Sequence, residues 1–313
     1  MKKLLIILLA ICLISCEFET KSFAEIGGIL YTFQLPENTS QADVGKLEAI
    51  FKKRIASYVR QKPKFDYNKE KQQFSVGVPK SLTSKNPDLC KKLLMANGSV
   101  LMISGNQSYY EVSKSLEEIN KIIKENPLEI DGKISKQYLF DILEPIPSQQ
   151  MMPFLGVASL SDTALIMKMI QQERFQDKFA KEMIWVWKVD KQEMKAYLHV
   201  YSMNNMKVDE TMIGNVEIDH QKSMDGNPAL AINFDETGTA KFTKMTTEAA
   251  AVKGLIHIFV SQELVLSPMV QSKISGGSVE IRGDNVEEVI FMKSIIEAGR
   301  LPVSIELIGE EEK

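Results

Sequence analysis

The sequence predicts an α+β fold: two ferredoxin-like halves that form a base, with an inserted α+β head subdomain. Three observations carry the prediction. Strand and helix patterns before residue 105 follow the order β-α-β-β-α-β, that of a ferredoxin-like unit. The same order returns after residue 226. Between them the chain changes character, and ten of its sixteen methionines fall between Met151 and Met224.

The first half opens with ILYTFQL (29–35), an apolar strand pattern. A helix over 40–60 follows, because Val44, Leu47, Phe51, Ile55 and Tyr58 recur at steps of three and four. Lys64–Tyr67 and Gln73–Val78 read as strands joined through Asn68-Lys69-Glu70-Lys71. Pro87 starts a short helix to about Met95, Asn97-Gly98 ends it, and Val100–Ile103 is the fourth strand. In the middle segment, helical patterns appear near 111–125, 135–143 and 160–182. IWVWKVDKQEMKAYLHVYSM then reads as two strands around Asp190–Gln192. The second half has strands at Ala229–Phe234 and Leu255–Val260 with a helix over 236–252 between them. Leu264–Leu266 and Val270–Ile274 continue around Pro268. A strand at Ser278–Ile281, a helix at 284–298 and a strand at Val303–Leu307 complete it. The predicted organisation is a leader (1–16), an N-terminal half of the base (24–105), the head (106–225), a C-terminal half (226–309) and an acidic tail (310–313).

The chain has 313 residues, 44% of them hydrophobic, and a formal net charge of −3. It can bury a core, and no basic stripe points to nucleic acid. The leader MKKLLIILLAICLISC has two lysines and an apolar run from Leu4 to Ile14. That length suits a signal peptide better than a membrane span. It ends in Leu13-Ile14-Ser15-Cys16, which resembles a bacterial lipobox. That resemblance implies cleavage before Cys16 and a lipid on its thiol; the competing reading is a short uncleaved anchor followed by an incidental cysteine. Each buried methylene of an acyl chain contributes ~0.8 kcal/mol, and two chains already hold a protein stably on a membrane. The expected location is therefore the bacterial cell envelope, lipid-anchored and facing the periplasm or exterior. Cys90 then remains alone, on the apolar face of NPDLCKKLLMANGS with Leu89, Leu93 and Leu94, as a small buried hydrophobe.

KISGGSVEIRGDN (273–285) offers glycines at Gly276, Gly277 and Gly283. A phosphate loop needs a strand, a glycine turn and then a helix N-terminus. Here Gly276-Gly277 lies between two strand-like runs, and the helix begins only after Gly283-Asp284. Asp284 is expected to be the N-cap, with Glu287 completing a capping box.

The surrounding residues, SPMVQSKISGGSVEIRGDNVEEVIFMKSIIEAGRLPVSIELI, resemble the C-terminal part of the first large periplasmic domain of the SecD family. The matching positions are Ser267-Pro268, Gly276-Gly277, Ile281 with Gly283, Glu287-Glu288, and Ala298-Gly299-Arg300-Leu301-Pro302-Val303. Gly276, Gly277, Gly283, Gly299 and Pro302 are expected to be structural. Upstream, Phe234, Gly238, Lys241, Phe242 and Thr246 match a strand-to-helix entry of the family, and Gly27-Gly28 and Arg54-Ile55 match its opening. The resemblance is densest over 229–308, sparser over 27–104 and nearly absent in the insert. It implies an accessory role in bacterial protein translocation, with translocating polypeptide and Sec translocase components as the partners it suggests. SecD-type proteins also carry membrane helices that support proton-driven movement, and none is found in this sequence, so proton coupling is not expected within this chain.

No residue pattern points to catalysis or to a cofactor. Of the three histidines, His199, His220 and His257, the first and last lie in strand patterns without a carboxylate or cysteine at metal-ligand spacing and read as core or edge histidines, and no G-x-S-x-G or HExxH motif occurs. A non-enzymatic protein is expected, without metal. The candidate polypeptide-binding residues are Met151, Met152, Phe154 and Leu155, the pair Trp185 and Trp187, and Met203 and Met206. Methionine suits surfaces that accept varied apolar partners; the same residues could equally pack the core of the head. Three functions follow: a membrane-anchored binder of extended or unfolded polypeptide, a scaffold lipoprotein that binds a folded envelope partner through its base, and an enzyme of unseen type.

Overall fold

The computed structural model describes residues 22–313 apart from 85, 106–108, 147–153, 181, 191, 204, 220–227 and 284. The described chain forms two compact units, one comprising residues up to Ala96 together with Leu301–Lys313, the other Asn97–Arg300.

The first unit contains helix α1 (Phe23–Ile26), strand β1 (Gly28–Gln34), helix α2 (Gln41–Ala56), strands β2 (Lys64–Asn68) and β3 (Gln73–Pro79), and helices α3 (Lys80–Thr83) and α4 (Pro87–Met95). The last strand of the chain, β17 (Glu306–Glu312), completes its sheet in the order β17-β1-β3-β2, with every pair antiparallel. Alternation sets one face of the sheet. Tyr31, Phe33, Phe74, Val76 and Val78 are buried, as are Val44, Leu47, Phe51 and Ile55 of α2 and Leu89, Cys90, Leu93 and Leu94 of α4. Phe51 lies 5.7 Å from Phe33 and 5.9 Å from Phe74 between ring centroids. Each such fully buried side chain contributes roughly 1.5–3 kcal/mol. Ser40 caps α2 by accepting the Asp43 N–H at 3.1 Å, and Asn86 caps α4 by accepting that of Leu89 at 3.0 Å.

Arg54 is fully buried in this unit. Its guanidinium donates to the carbonyls of Leu93 at 2.9 Å, Leu94 at 3.3 Å and Ala96 at 2.6 Å. These are the carbonyls a helix end leaves without intrahelical partners, so Arg54 of α2 closes the C-terminus of α4. Gly28 has φ +151°, and a Cβ there would stand 2.0 Å from the Val78 carbonyl oxygen. Its N–H and C=O both pair with the Lys313 backbone, at 3.0 and 2.8 Å. The close passage of three backbones explains a glycine at that point.

The second unit begins with β4 (Val100–Gly105) and α5 (Tyr109–Glu125), followed by a small hairpin of β5 (Glu129–Ile130) and β6 (Lys133–Ile134) and by α6 (Leu139–Ile142). Strands β7 (Leu143–Pro145), β8 (Gly156–Ser159), β9 (Met183–Asp190) and β10 (Lys195–Ser202) form a sheet in the order β7-β8-β10-β9, with α7 (Thr163–Ile170) between β8 and β9. Then come β11 (Lys207–Asp209), β12 (Ile213–Asp219), β13 (Ala229–Phe234), α8 (Glu236–Ala251), β14 (Leu255–Val260), β15 (Glu263–Leu266), β16 (Ser278–Arg282) and α9 (Val286–Ala298). Two more sheets result, β11-β4-β14-β15 and β12-β13-β16. The main core gathers Val112, Leu116, Ile119 and Ile123 of α5 with Ile166, Met169 and Ile170 of α7, and with Leu198 and Val200 of β10. The opposite face of the β9–β10 pair meets the β4-β14-β15 sheet through Val186, Tyr201, Ile103, Phe259 and Leu264.

The α+β class agrees with the sequence reading; the strand partners differ. Val100–Gly105, expected as the fourth strand of the first half, pairs with Leu255–Val260 instead, and Glu306–Glu312 takes the place beside β1. Both VLMISG and LIHIFV are apolar along nearly their whole length and are buried on both faces, which suits neighbouring central strands. ELIGEEE is charged and mostly exposed, which suits an edge. Glu310–Glu312, read as a tail, are therefore strand residues. Ala229–Phe234 and Leu255–Val260 lie in different sheets, and Val270–Ile274 forms no strand. The helix expected over 160–182 is confined to α7, with short 3-10 turns on either side. Helix α9 is capped by Asn285, which accepts the Glu288 N–H at 2.9 Å, so Asn285 fills the role given to Asp284, itself outside the described residues.

Candidate functional site

The aromatic strand β9 and its partner β10 position most of the described candidates. MIWVWKVD alternates aromatic and β-branched residues, a pattern that favours a pleated strand. Asp190 closes the turn by accepting the N–H groups of Gln192 and Glu193 at 2.9 and 3.0 Å. Trp187 then stands opposite Leu198, and Trp185 opposite Val200. Both tryptophans pack against the main core without being engulfed by it. The Phe179 ring meets Trp185 edge-on at 4.9 Å. The Trp187 indole N–H is buried and has no hydrogen-bond partner among the described residues. All eight residues of β9 keep some exposure, whereas β10 is buried from Leu198 to Ser202.

The remaining candidates are scattered around this strand pair. Leu155 is a core residue. Phe154 lies against the Tyr197 and His199 rings at 4.9 and 6.2 Å, on the opposite face of β10 from Leu198 and Val200. Met203 is exposed just past the end of β10, and Met206 is half-buried, its carbonyl accepting the Ser104 N–H at 3.0 Å. Met151, Met152 and Cys16 lie outside the described residues. The structure thus brings Leu155, Trp185 and Trp187 around one core, and places Phe154, Met203 and Met206 elsewhere.

The signature residues hold turns. Gly277 has φ +70°, accepts the Phe234 N–H at 2.8 Å, and lies so near Thr239 that a Cβ would stand 2.7 Å from its hydroxyl. It binds the end of β13 to the first turn of α8. Gly276 precedes it on the exposed side, and Gly283 follows β16. Gly299 caps the C-terminus of α9, and Pro302 lies three residues further on.

Two buried polar residues stand out in the structure. Arg54 occupies the apolar stripe of α2, where an arginine is itself an anomaly. His257 is fully buried in β14. Its Nδ1 is 2.8 Å from the Ser267 hydroxyl, and its ring is 5.8 Å from that of His199 and 5.9 Å from that of Tyr201. Burial pushes its pKa down to about 4, against a smaller opposing effect of the Val200 backbone. Burial also raises the Cys90 thiol to about 11, so it stays protonated at neutral pH and is a poor nucleophile. Among the described residues no group of three or more His, Cys, Asp or Glu side chains could hold a metal ion. A cavity of about 480 Å3 in the first unit is lined by Phe23, Leu30, Phe65, Asp66, Ser75 and Lys313, among others. No helix among the described residues is long and apolar enough to cross a membrane.

Residues 189–303 match the family described as SecDF, P1 head subdomain. No curated protein sequence matches the chain. A crystal structure of SecDF in a super-membrane-facing form aligns over 93% of this chain at 15% identity with a TM-score of 0.53. The chain spans 31% of that protein. A second structure, of SecDF as a membrane component that enhances protein export, aligns over 90% of this chain and 98% of its own length, at 15% identity and a TM-score of 0.48. Residues 189–303 are thus similar to the SecDF P1 head subdomain, and the chain shares its fold with the SecDF structure that aligns at a TM-score of 0.53.

Proposed function

We propose that this chain is a membrane-tethered, non-catalytic domain that binds extended or unfolded polypeptide outside the cytoplasmic membrane, in support of protein translocation. The observation that carries the proposal is the match of residues 189–303 to the family described as SecDF, P1 head subdomain. The partly exposed tryptophan strand adds a chemical reason. Trp185 and Trp187 are half-buried against the core and leave part of their large, stiff apolar surface accessible, and such residues dominate contacts with varied partners. Components of the Sec translocase are the proposed partners, and Cys16 the proposed site of lipid attachment. The predicted organisation into a leader, two base halves and a head belongs to the same reading.

The test is photo-crosslinking. A photoreactive residue at Val189, which is 40% exposed at the end of β9, should capture an unfolded export substrate in preference to its folded form. A yield equal for folded and unfolded forms, or none above background, overturns the binding function. Co-purification with a folded envelope partner, lost on altering the first unit and kept on altering β9, would favour a scaffold instead.

A further inference from the structure

We infer that the outer edge of β9 is a strand-addition site, at which an extended polypeptide segment pairs backbone to backbone from Ile184 onward. The inference rests on the polypeptide-binding reading above and names how that binding occurs.

Three observations lead to it. First, β9 is the last strand of its sheet, and its only hydrogen-bonded strand partner among the described residues is β10; Leu264 of β15 packs on the face that carries Val186 without pairing with β9. From Ile184 to Asp190 it makes no further backbone hydrogen bond among the described residues, so every second N–H and C=O faces outward. Second, the exposure of β9 is continuous. No residue of it is buried, and Ile184 and Val189 are 36% and 40% exposed. Third, the other sheet edges are blunted in ways that prevent pairing. The β2 edge alternates Lys64, Asp66 and Asn68, the β17 edge carries Glu310–Glu312, and β12 and β16 carry acidic residues. Strands β7, β11 and β15 are three or four residues long. Among the described edges, Met183–Trp187 alone offers five consecutive uncharged apolar residues.

An open edge specifies its occupant. Its donors and acceptors repeat at strand spacing, so only another extended backbone satisfies them in series. Sequence tolerance follows, because the hydrogen bonds are made by groups every residue carries. Apolar side chains of the incoming segment would continue the two faces of the sheet beside Ile184 and Val189. A second copy of this chain could use the same edge, and the test separates that case.

The experiment uses the full chain and a fluorescently labelled ten-residue peptide of alternating valine and threonine, with a counterpart N-methylated at every second residue. N-methylation removes the donors of one edge and leaves the side chains in place. Fluorescence anisotropy should show binding of the parent peptide and at least about tenfold weaker binding of the methylated one. The double variant Ile184→Lys with Val189→Lys should weaken the parent peptide similarly while leaving circular dichroism and tryptophan emission unchanged, since both side chains are exposed. Equal binding of the two peptides, or undiminished binding by the lysine variant, overturns strand addition and leaves polypeptide binding standing. Absence of peptide binding, with a sedimenting dimer that the lysine variant dissociates, assigns the edge to a second copy and overturns the proposal. Absence of both overturns it as well, and the crosslinking result then decides the proposed function separately.

Discussion

Lowering the pH from 7 to 5 should destabilise the second unit through His257. The side chain is fully buried in β14 and held by Ser267, with the His199 and Tyr201 rings beside it. Its pKa is about 4 in the folded chain, against 6.5 for an exposed histidine. The folded state therefore resists protonation that the unfolded state accepts. Stability is complete above pH 6.5, falls as the pH drops, and stops falling below about 4. A tenfold difference in proton affinity between the two states corresponds to ~1.4 kcal/mol, so the whole loss is about 3 kcal/mol, of which ~2 kcal/mol falls between pH 7 and 5. Urea unfolding reads this directly. Both tryptophans of the chain lie on β9, in the same unit as His257, so their emission reports the right transition. With a slope of about 2 kcal/mol/M the midpoint should drop by about 1 M. His257→Gln keeps a neutral group that can bond Ser267 and cannot take the proton, and should abolish most of the drop. An equal pH dependence in wild type and His257→Gln would refute the reasoning, whatever the variant's stability at pH 7.

Two further outcomes follow from other parts of the molecule. Arg54→Leu should cost the first unit about 3 kcal/mol, because it strips charged donors from three carbonyls at the end of α4, and Arg54→Lys should restore only part of it. Urea unfolding followed by far-UV circular dichroism checks this, and an unchanged midpoint for Arg54→Leu would contradict the capping role. Cys16→Ala should leave the protein unprocessed or release it from membranes, as read by fractionation and labelling with a radioactive fatty acid; unchanged processing and membrane association would refute lipid attachment.

Most elements of the fold were legible in the sequence because their signals are local. The alternation of ILYTFQL, the three-and-four spacing from Val44 to Ile55 and the turn at Asp190 each act within a few residues. Strand partnership was not legible, since VLMISG fits the edge of one ferredoxin-like half as readily as the centre of another sheet. What decided it was burial on both faces, a property of the neighbours rather than of the strand. Among the candidate residues, apolar character alone could not separate Leu155, wholly in the core, from Met203, exposed. The tryptophan strand was visible as a pattern, but the openness of its outer edge depends on which strand lies beyond it. Arg54 stood out as a family-matching position and His257 as a histidine within an apolar strand, but their partners, 39 and 10 residues away along the chain, were not legible.

The pairing of Ile29 with Glu312 bears on the order in which this protein can fold. The first unit needs a strand that lies far downstream of β1, so an emerging chain displays β1 with one side unoccupied until residues near 306 arrive. Closing so long a loop adds little to the entropic cost, which grows only with the logarithm of length, but it delays the event and lengthens the time an apolar strand stands open. A chain cut short before β17 would keep that side open and be a ready target for holding factors or proteases.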